Sequence, residues 1–198
     1  DTGVFHPYPR DAARKQLHLP AQATILAFAA QGGVNSPWRD AKCLAETIQH
    51  LGRSTGPVYF LSIGSGERIS QTGNVIHVPY VSDEKTLALI YSAADLFLFP
   101  SLADNCPLVV IESMACGLPV ITYNTGGLPE IVENGRTGVI TEYRNTREFA
   151  KAAENLAFDH ARRQQYARAG IERATRLFSL DLMLDRYSAL YRELAGTA

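Results

Sequence analysis

Between Ala94 and Gly138 the chain reads ADLFLFPSLADNCPLVVIESMACGLPVITYNTGGLPEIVENGRTG, and this stretch limits the fold more than any other. Leu96 to Phe99 is a continuous apolar run with no polar alternation, the pattern of a strand covered on both faces. Such strands belong to parallel sheets packed between layers of helices. Pro100 and Ser101 end the run and a short polar loop follows. Pro107 then stands where a helix opens, because its fixed φ and missing N–H cost nothing there. That helix is expected to run to about Cys116 and stop at Gly117. A second apolar strand, Val120 to Tyr123, follows at once, then a loop over Asn124 to Gly127 and a short helix from Glu130 to Val132. The fold class implied is α/β, a Rossmann-like parallel sheet flanked by helices.

The same unit brings two carboxylates forward. Asp104 lies in the loop and Glu112 in the helix, with seven residues between them. Both can reach the crevice above the strand ends, where open α/β sheets bind ligands. The N–H groups at Asn105 and Cys106 have no intrahelical partner and, with the helix dipole, favour phosphate. A phosphate flanked by two hydroxyl-binding carboxylates suggests a sugar nucleotide. Two acids at this spacing, taken alone, also describe an ordinary solvated helix face.

Around them the order of residues resembles the retaining glycosyltransferases of family 4, the group 1 glycosyl transferases of GT-B fold. Their hallmark is a Glu, seven residues and a second Glu, then an Ala-Met-Ala-Cys-Gly-x-Pro-Val run and a Gly-Gly-x-Pro-Glu loop. Here stand Asp104, Glu112, the run Ser113-Met114-Ala115-Cys116-Gly117-Leu118-Pro119-Val120, and Gly126-Gly127-Leu128-Pro129-Glu130. The resemblance implies the C-terminal, donor-binding half of such an enzyme. It divides the chain into a linker with a short helix (1–20), a nucleotide-sugar-binding Rossmann-like domain (21–178) and a C-terminal helix (179–198) returning toward an N-terminal domain.

The resemblance also assigns roles. Glu112 binds the nucleotide ribose. Asp104 and the backbone of Asn105, Cys106, Pro107 and Leu108 hold the transferred sugar, and Arg39 meets the diphosphate. Backbone at Pro79, Tyr80 and Val81 touches the base, although a tyrosine placed like Tyr80 is more often a packing residue with a wet hydroxyl than a base-stacking one. No metal and no cofactor is implied, the substrate being a nucleoside-diphosphate sugar. The acceptor, a glycan, a lipid-linked glycan or a small molecule, is expected to bind the N-terminal domain, and the longer protein has room for a peripheral membrane association. The chain departs from the family at three places: Asp104 replaces a Glu, the Arg expected near Gln31 is absent, and Arg39 followed by Asp40 replaces Lys-Gly. A degenerate, non-catalytic sugar-nucleotide-binding module is the alternative that these departures leave open.

Other segments fill in the sheet. Thr24 to Ala30 reads as a strand, followed by the glycine-rich loop Gln31 to Pro37 and a helix from Trp38 to Leu51, without the dinucleotide fingerprint. Arg39 and Lys42 read equally well as exposed helix charges. Pro57 to Ile63 and Asn74 to Val78 are further strands, and Gly64-Ser65-Gly66 a turn. Ser82 is expected to cap a helix over Asp83 to Ala94. Gly138 to Thr141 is the last strand, and helices follow over Asn145 to Phe158 and Ala161 to Leu177. The final helix, from Ser179, carries Leu180, Met183, Leu184, Tyr187, Leu190, Tyr191 and Leu194 at helical spacing. Arg10, Arg14 and Lys15 on the first short helix read as a solvated face.

With 198 residues, 46% of them apolar, the chain is long enough for a sizeable core. A net charge of −1 provides no field that would gather nucleic acid, so phosphate binding must be local. The three cysteines show no zinc spacing and are odd in number, which fits a reducing, cytoplasmic compartment.

Overall fold

The computed structural model describes residues 1–29, 36–54 and 56–196. The glycine-rich loop and the expected Arg position at Gln31 lie outside the described residues.

The apolar runs become strands β1 (Thr24–Ala29), β2 (Val58–Ile63), β4 (Val75–Val78), β5 (Leu96–Phe99), β6 (Val120–Tyr123) and β7 (Gly138–Thr141), with a short β3 (Ser70–Thr72). Their order is β3-β4-β2-β1-β5-β6-β7. All pairs are parallel except β3 with β4. The sheet is therefore mostly parallel and seven-stranded. Leading away from β1, one half runs through β2 and the other through β5, so the chain reverses its direction of travel at the β1/β5 boundary. A crevice opens there at the carboxyl ends of the strands.

Alternation along each strand sorts the core into two layers. Ile25, Ala27, Phe97, Phe99 and Val120 face one side, with α3 (Glu84–Ala93) and α4 (Leu108–Ala115) packed over them through Tyr91, Val110 and Met114. Leu26, Phe28, Leu96, Leu98 and Ile121 face the other, covered by α2 (Ala41–Leu51) and α6 (Thr146–Phe158) through Leu44, Leu51, Phe149 and Leu156. Both faces are dry, which is why the strand sequences lack polar alternation.

Several boundaries differ from expectation, each for a local reason. α2 starts at Ala41 and not at Trp38, because residues 38–40 are spent on an extended contact with the end of β5. Asp40 N donates to Pro100 O at 2.9 Å and Leu102 N to Trp38 O at 3.0 Å, and Arg39 bridges Ser101. Asp40 then caps α2 by accepting from Cys43 N at 3.0 Å. α3 is capped by Asp83 and not by Ser82: the Asp83 carboxylate takes Thr86 N at 2.8 Å and Thr86 Oγ1 at 2.5 Å. α5 spans Leu128–Ile131, two residues earlier than expected, and α7 spans His160–Phe178 with Asp159 as its cap.

The largest correction concerns α1 (Arg10–Gln16). Arg14 is not solvated but 1% exposed. Its guanidinium donates to Ala93 O (2.9 Å), Ala21 O (2.9 Å), Ala23 O (2.8 Å) and Asp95 Oδ2 (2.8 Å), and Arg10 pairs with Asp95 Oδ1 at 3.0 Å. Burial pulls the Arg14 pKa down and the Asp95 charge opposes it, so the cation is kept by its hydrogen bonds. Arg14 thus ties α1 to the entry of β1 and the exit of α3, on the side of the sheet opposite the strand carboxyl ends.

α8 (Leu180–Leu194) buries no residue: Leu182 is half-buried, and Leu180, Met183, Leu184, Tyr187, Leu190, Tyr191 and Leu194 are exposed. Among the described residues no helix is long and apolar enough to cross a membrane.

Candidate functional site

At the β1/β5 switch point the end of β5 and the segment before α2 converge on one carboxylate. Arg39 Nη1 donates to Asp104 Oδ2 at 2.7 Å, and Ser101 Oγ donates to the same oxygen at 2.5 Å. The Arg39 guanidinium lies over the Phe99 ring, 4.0 Å from its centroid, and its Nε is buried with no hydrogen-bond partner among the described residues. Burial lowers the Arg39 pKa and Asp104 pushes it back up, and the guanidinium stays charged at neutral pH. Two residues 65 apart in sequence, each a candidate from sequence alone, are in direct contact.

The Asp104 loop is braced from the far side by the Gly126-Gly127 turn. Gly127 N donates to Asp104 O at 3.0 Å. A Cβ on Gly126 would fall 2.0 Å from Asp104 O, and one on Gly127 1.9 Å from Asn105 O. No side chain fits at either position, which gives the Gly-Gly pair its physical reason.

Beyond the loop, α4 begins at Leu108 with Pro107 as its cap, and no side chain caps it. Val110 N donates to Pro107 O at 3.1 Å, and the N–H groups of Leu108 and Val109 are open for an anion or hydroxyl. Asn105, Cys106 and Leu108 are exposed. Glu112 lies one turn further in and is half-buried. Burial, then the Glu84 charge on α3, raises its pKa above the ordinary carboxylate range. Its charge in turn reaches the buried Tyr91 hydroxyl, which has no hydrogen-bond partner and whose pKa is pushed well up, mainly by burial. The Tyr91 hydroxyl is thus held short of a partner near a half-buried carboxylate, a costly arrangement in a purely structural setting.

Tyr91 also lines a cleft of about 180 Å³ together with Arg39, Tyr80, Val81, Gly64 and Val109. Tyr80 is 77% exposed at its mouth, next to Pro79. The cleft so unites Arg39 with the Pro79-Tyr80-Val81 segment. Glu112 does not line it and reaches it only through Tyr91. A larger hollow of about 840 Å³ lies between α2 and α6. None of the candidate residues lines it.

Ser101, Phe99 and Tyr91 are part of the site without having been marked by the sequence. Lys42 is exposed, pairs weakly with Glu46 at 3.8 Å, and lines a hollow of about 390 Å³ together with Arg39. Among the described residues no group of three or more His, Cys, Asp or Glu could hold a metal ion. Cys43 and Cys116 are buried thiols whose pKa is pushed up to about 12 by burial, unsuited to nucleophilic work.

Comparison with known proteins shows the family and the fold. The profile of the family "Glycosyl transferases group 1" matches residues 25–159. The chain belongs to the group 1 glycosyl transferases. A D-inositol 3-phosphate glycosyltransferase of Nocardioides is 33% identical across 97% of this group 1 chain, and the match spans 46% of that enzyme. The chain thus spans about half the length of the curated relatives it matches. Among solved structures, sucrose-phosphate synthase from Thermosynechococcus elongatus superposes with a TM-score of 0.82 at 26% identity, covering 100% of this chain and 51% of the other. The C-terminal domain of a group 1 glycosyl transferase from Francisella tularensis superposes with a TM-score of 0.74 at 18% identity, over 91% of this chain and 98% of that one. This last likeness shows that the fold of the group 1 chain is that of the C-terminal half of a GT-B enzyme.

Proposed function

We propose that this group 1 chain is the donor-binding half of a retaining glycosyltransferase, which moves a sugar from a nucleoside diphosphate to a glycan, lipid or small-molecule acceptor. In this reading the nucleotide base rests against Pro79-Tyr80-Val81 and Glu112 accepts from the ribose hydroxyls. Arg39 meets the diphosphate, and the sugar lies between Asp104 and the N–H groups of Asn105, Cys106 and Leu108.

The physical case is one of charge. A leaving diphosphate gains negative charge as the glycosidic bond breaks, and a buried guanidinium beside an uncapped helix N-terminus stabilises it without reorganisation. Glu112 already bears the cost of burial in the ligand-free chain, as its raised pKa records. Ribose hydroxyls donating to it would relieve that cost. The observation that carries the reading is the Arg39–Asp104 contact of 2.7 Å at the switch point, because it sets a phosphate-binding cation and a sugar-binding carboxylate within one ligand's length.

Thermal denaturation of the chain with UDP, GDP and ADP, each bare and as its glucose conjugate, tests the proposal. Binding to the native state raises the melting temperature with the logarithm of ligand concentration over Kd. One base is expected to stand out. A melting temperature unmoved by all six ligands at millimolar concentration refutes the reading.

A further inference from the structure

Arg39 and Asp104 do not face a ligand as two separate groups. Asp104 Oδ2 is filled, taking Arg39 Nη1 at 2.7 Å and Ser101 Oγ at 2.5 Å. Oδ1 takes no hydrogen bond from any described residue. Ser101 is fully buried, accepts from Arg39 Nη1 at 3.3 Å and bridges Arg39 through its backbone. Stacking on Phe99 fixes the plane of the guanidinium. The carboxylate therefore cannot turn away from the cation without breaking contacts on both of its sides.

We propose that this cluster makes the site prefer a sugar nucleotide over the bare nucleoside diphosphate that transfer leaves behind, with Asp104 as the specificity-determining group and Ser101 as the residue that positions it. The inference rests on the donor-site reading above. A phosphate drawn to Arg39 bonds a guanidinium already bonded to Asp104, so the two anions sit only a few ångströms apart. In a bare nucleoside diphosphate the terminal phosphate is held only by the anhydride bridge, is not esterified, and carries an additional negative charge near neutral pH. It meets the carboxylate as a like charge in a partly buried site, where unit charges at such a distance discriminate by tenfold or more. In the sugar nucleotide that charge is replaced by the sugar, whose hydroxyls can donate to the free Oδ1. One carboxylate thus repels the product and attracts the substrate. Product release gains what substrate capture does not lose.

Titration calorimetry of the wild-type chain, Asp104→Asn and Ser101→Ala with UDP, GDP, ADP and their glucose conjugates tests this. Asp104→Asn is close to isosteric and removes the charge. It is expected to bind the bare diphosphate about tenfold or more tightly than wild type and to lose its preference for the sugar nucleotide. Ser101→Ala is expected to shift the ratio of the two affinities the same way by a smaller factor. A merely structural role for Ser101 would lower both affinities together and leave their ratio fixed, which overturns its positioning role. Should Ser101→Ala fail to fold, Asp104→Asn alone decides the specificity claim. If wild type binds a nucleotide and Asp104→Asn binds the bare diphosphate no better, the proposal is overturned and the donor site stands. If wild type binds no nucleotide, the donor-site reading fails and takes the inference with it.

Discussion

Replacing Gly127 by alanine isolates the contact on which the Asp104 loop depends. Gly127 has φ −87°, a conformation alanine adopts freely, so no backbone strain is added. The effect is steric alone. The new Cβ would lie 1.9 Å from Asn105 O, where real contacts keep at least 3.0 Å, so the two loops must part by about 1.1 Å. Parting them breaks Gly127 N to Asp104 O, now 3.0 Å, and shifts the carboxylate off Arg39. Overpacking costs roughly 1–3 kcal/mol and the lost hydrogen bond roughly 0.5–1.5 kcal/mol, about 1.5–4.5 kcal/mol together. For a domain of this size that lowers the melting temperature by roughly 3–18 °C. Scanning calorimetry measures it, with Gly135→Ala as control. Gly135 has φ +77° but open space around its Cβ, so it reports conformational strain without a clash, about 1 kcal/mol. If Gly127→Ala melted within a degree of wild type, or no lower than Gly135→Ala, the close approach would not exist.

Three further outcomes are expected. Arg14→Ala should destabilise the chain by roughly 3–5 kcal/mol in urea denaturation, since it strands buried carbonyls and part of the Asp95 charge, while nucleotide affinity stays unchanged in the folded variant. Glu112→Gln should raise the melting temperature at neutral pH. The folded pKa of Glu112 is raised, so the stability tied to its proton is complete below the unfolded value of about 4.3 and is lost as pH climbs through the folded value. Melting curves from pH 3.5 to 8 should therefore show variant and wild type converging at the acid end. Removing α8 by ending the chain at Phe178 should change the denaturation free energy of the rest by less than about 1 kcal/mol, because α8 buries nothing.

Hydropathy told the sheet apart wherever burial is two-sided. Leu96 to Phe99 and Val120 to Tyr123 have four buried residues each and appear as unbroken apolar runs. Ser70–Thr72 is polar and exposed throughout, an edge strand made by backbone pairing alone, and has no pattern to find. Arg14 was misleading because a cation on a short polar helix looks solvated. Its partners, the carbonyls of Ala23 and Ala93, come from other elements and declare themselves only in three dimensions. The site was half legible. Asp104, Glu112 and the glycine pair are marked by their order along the chain, whereas Ser101 passed as the polar end of a strand. The start of α2 was misplaced because Asp40 N is taken by Pro100 O, sixty residues away.

The most direct test of the donor-site account is calorimetric titration of the preferred nucleoside diphosphate, and of its 2′,3′-dideoxy form, into wild type and Glu112→Ala. If Glu112 accepts from the ribose, wild type should lose roughly 1.5–3 kcal/mol of affinity with the dideoxy ligand, the worth of a charge-assisted hydrogen bond. Glu112→Ala should show the same loss with the ordinary ligand and no further loss with the dideoxy one. Equal affinity of wild type and Glu112→Ala for the ordinary nucleotide, or additive losses in the variant, would contradict the assignment of the ribose to Glu112 and with it the placement of the donor in this crevice.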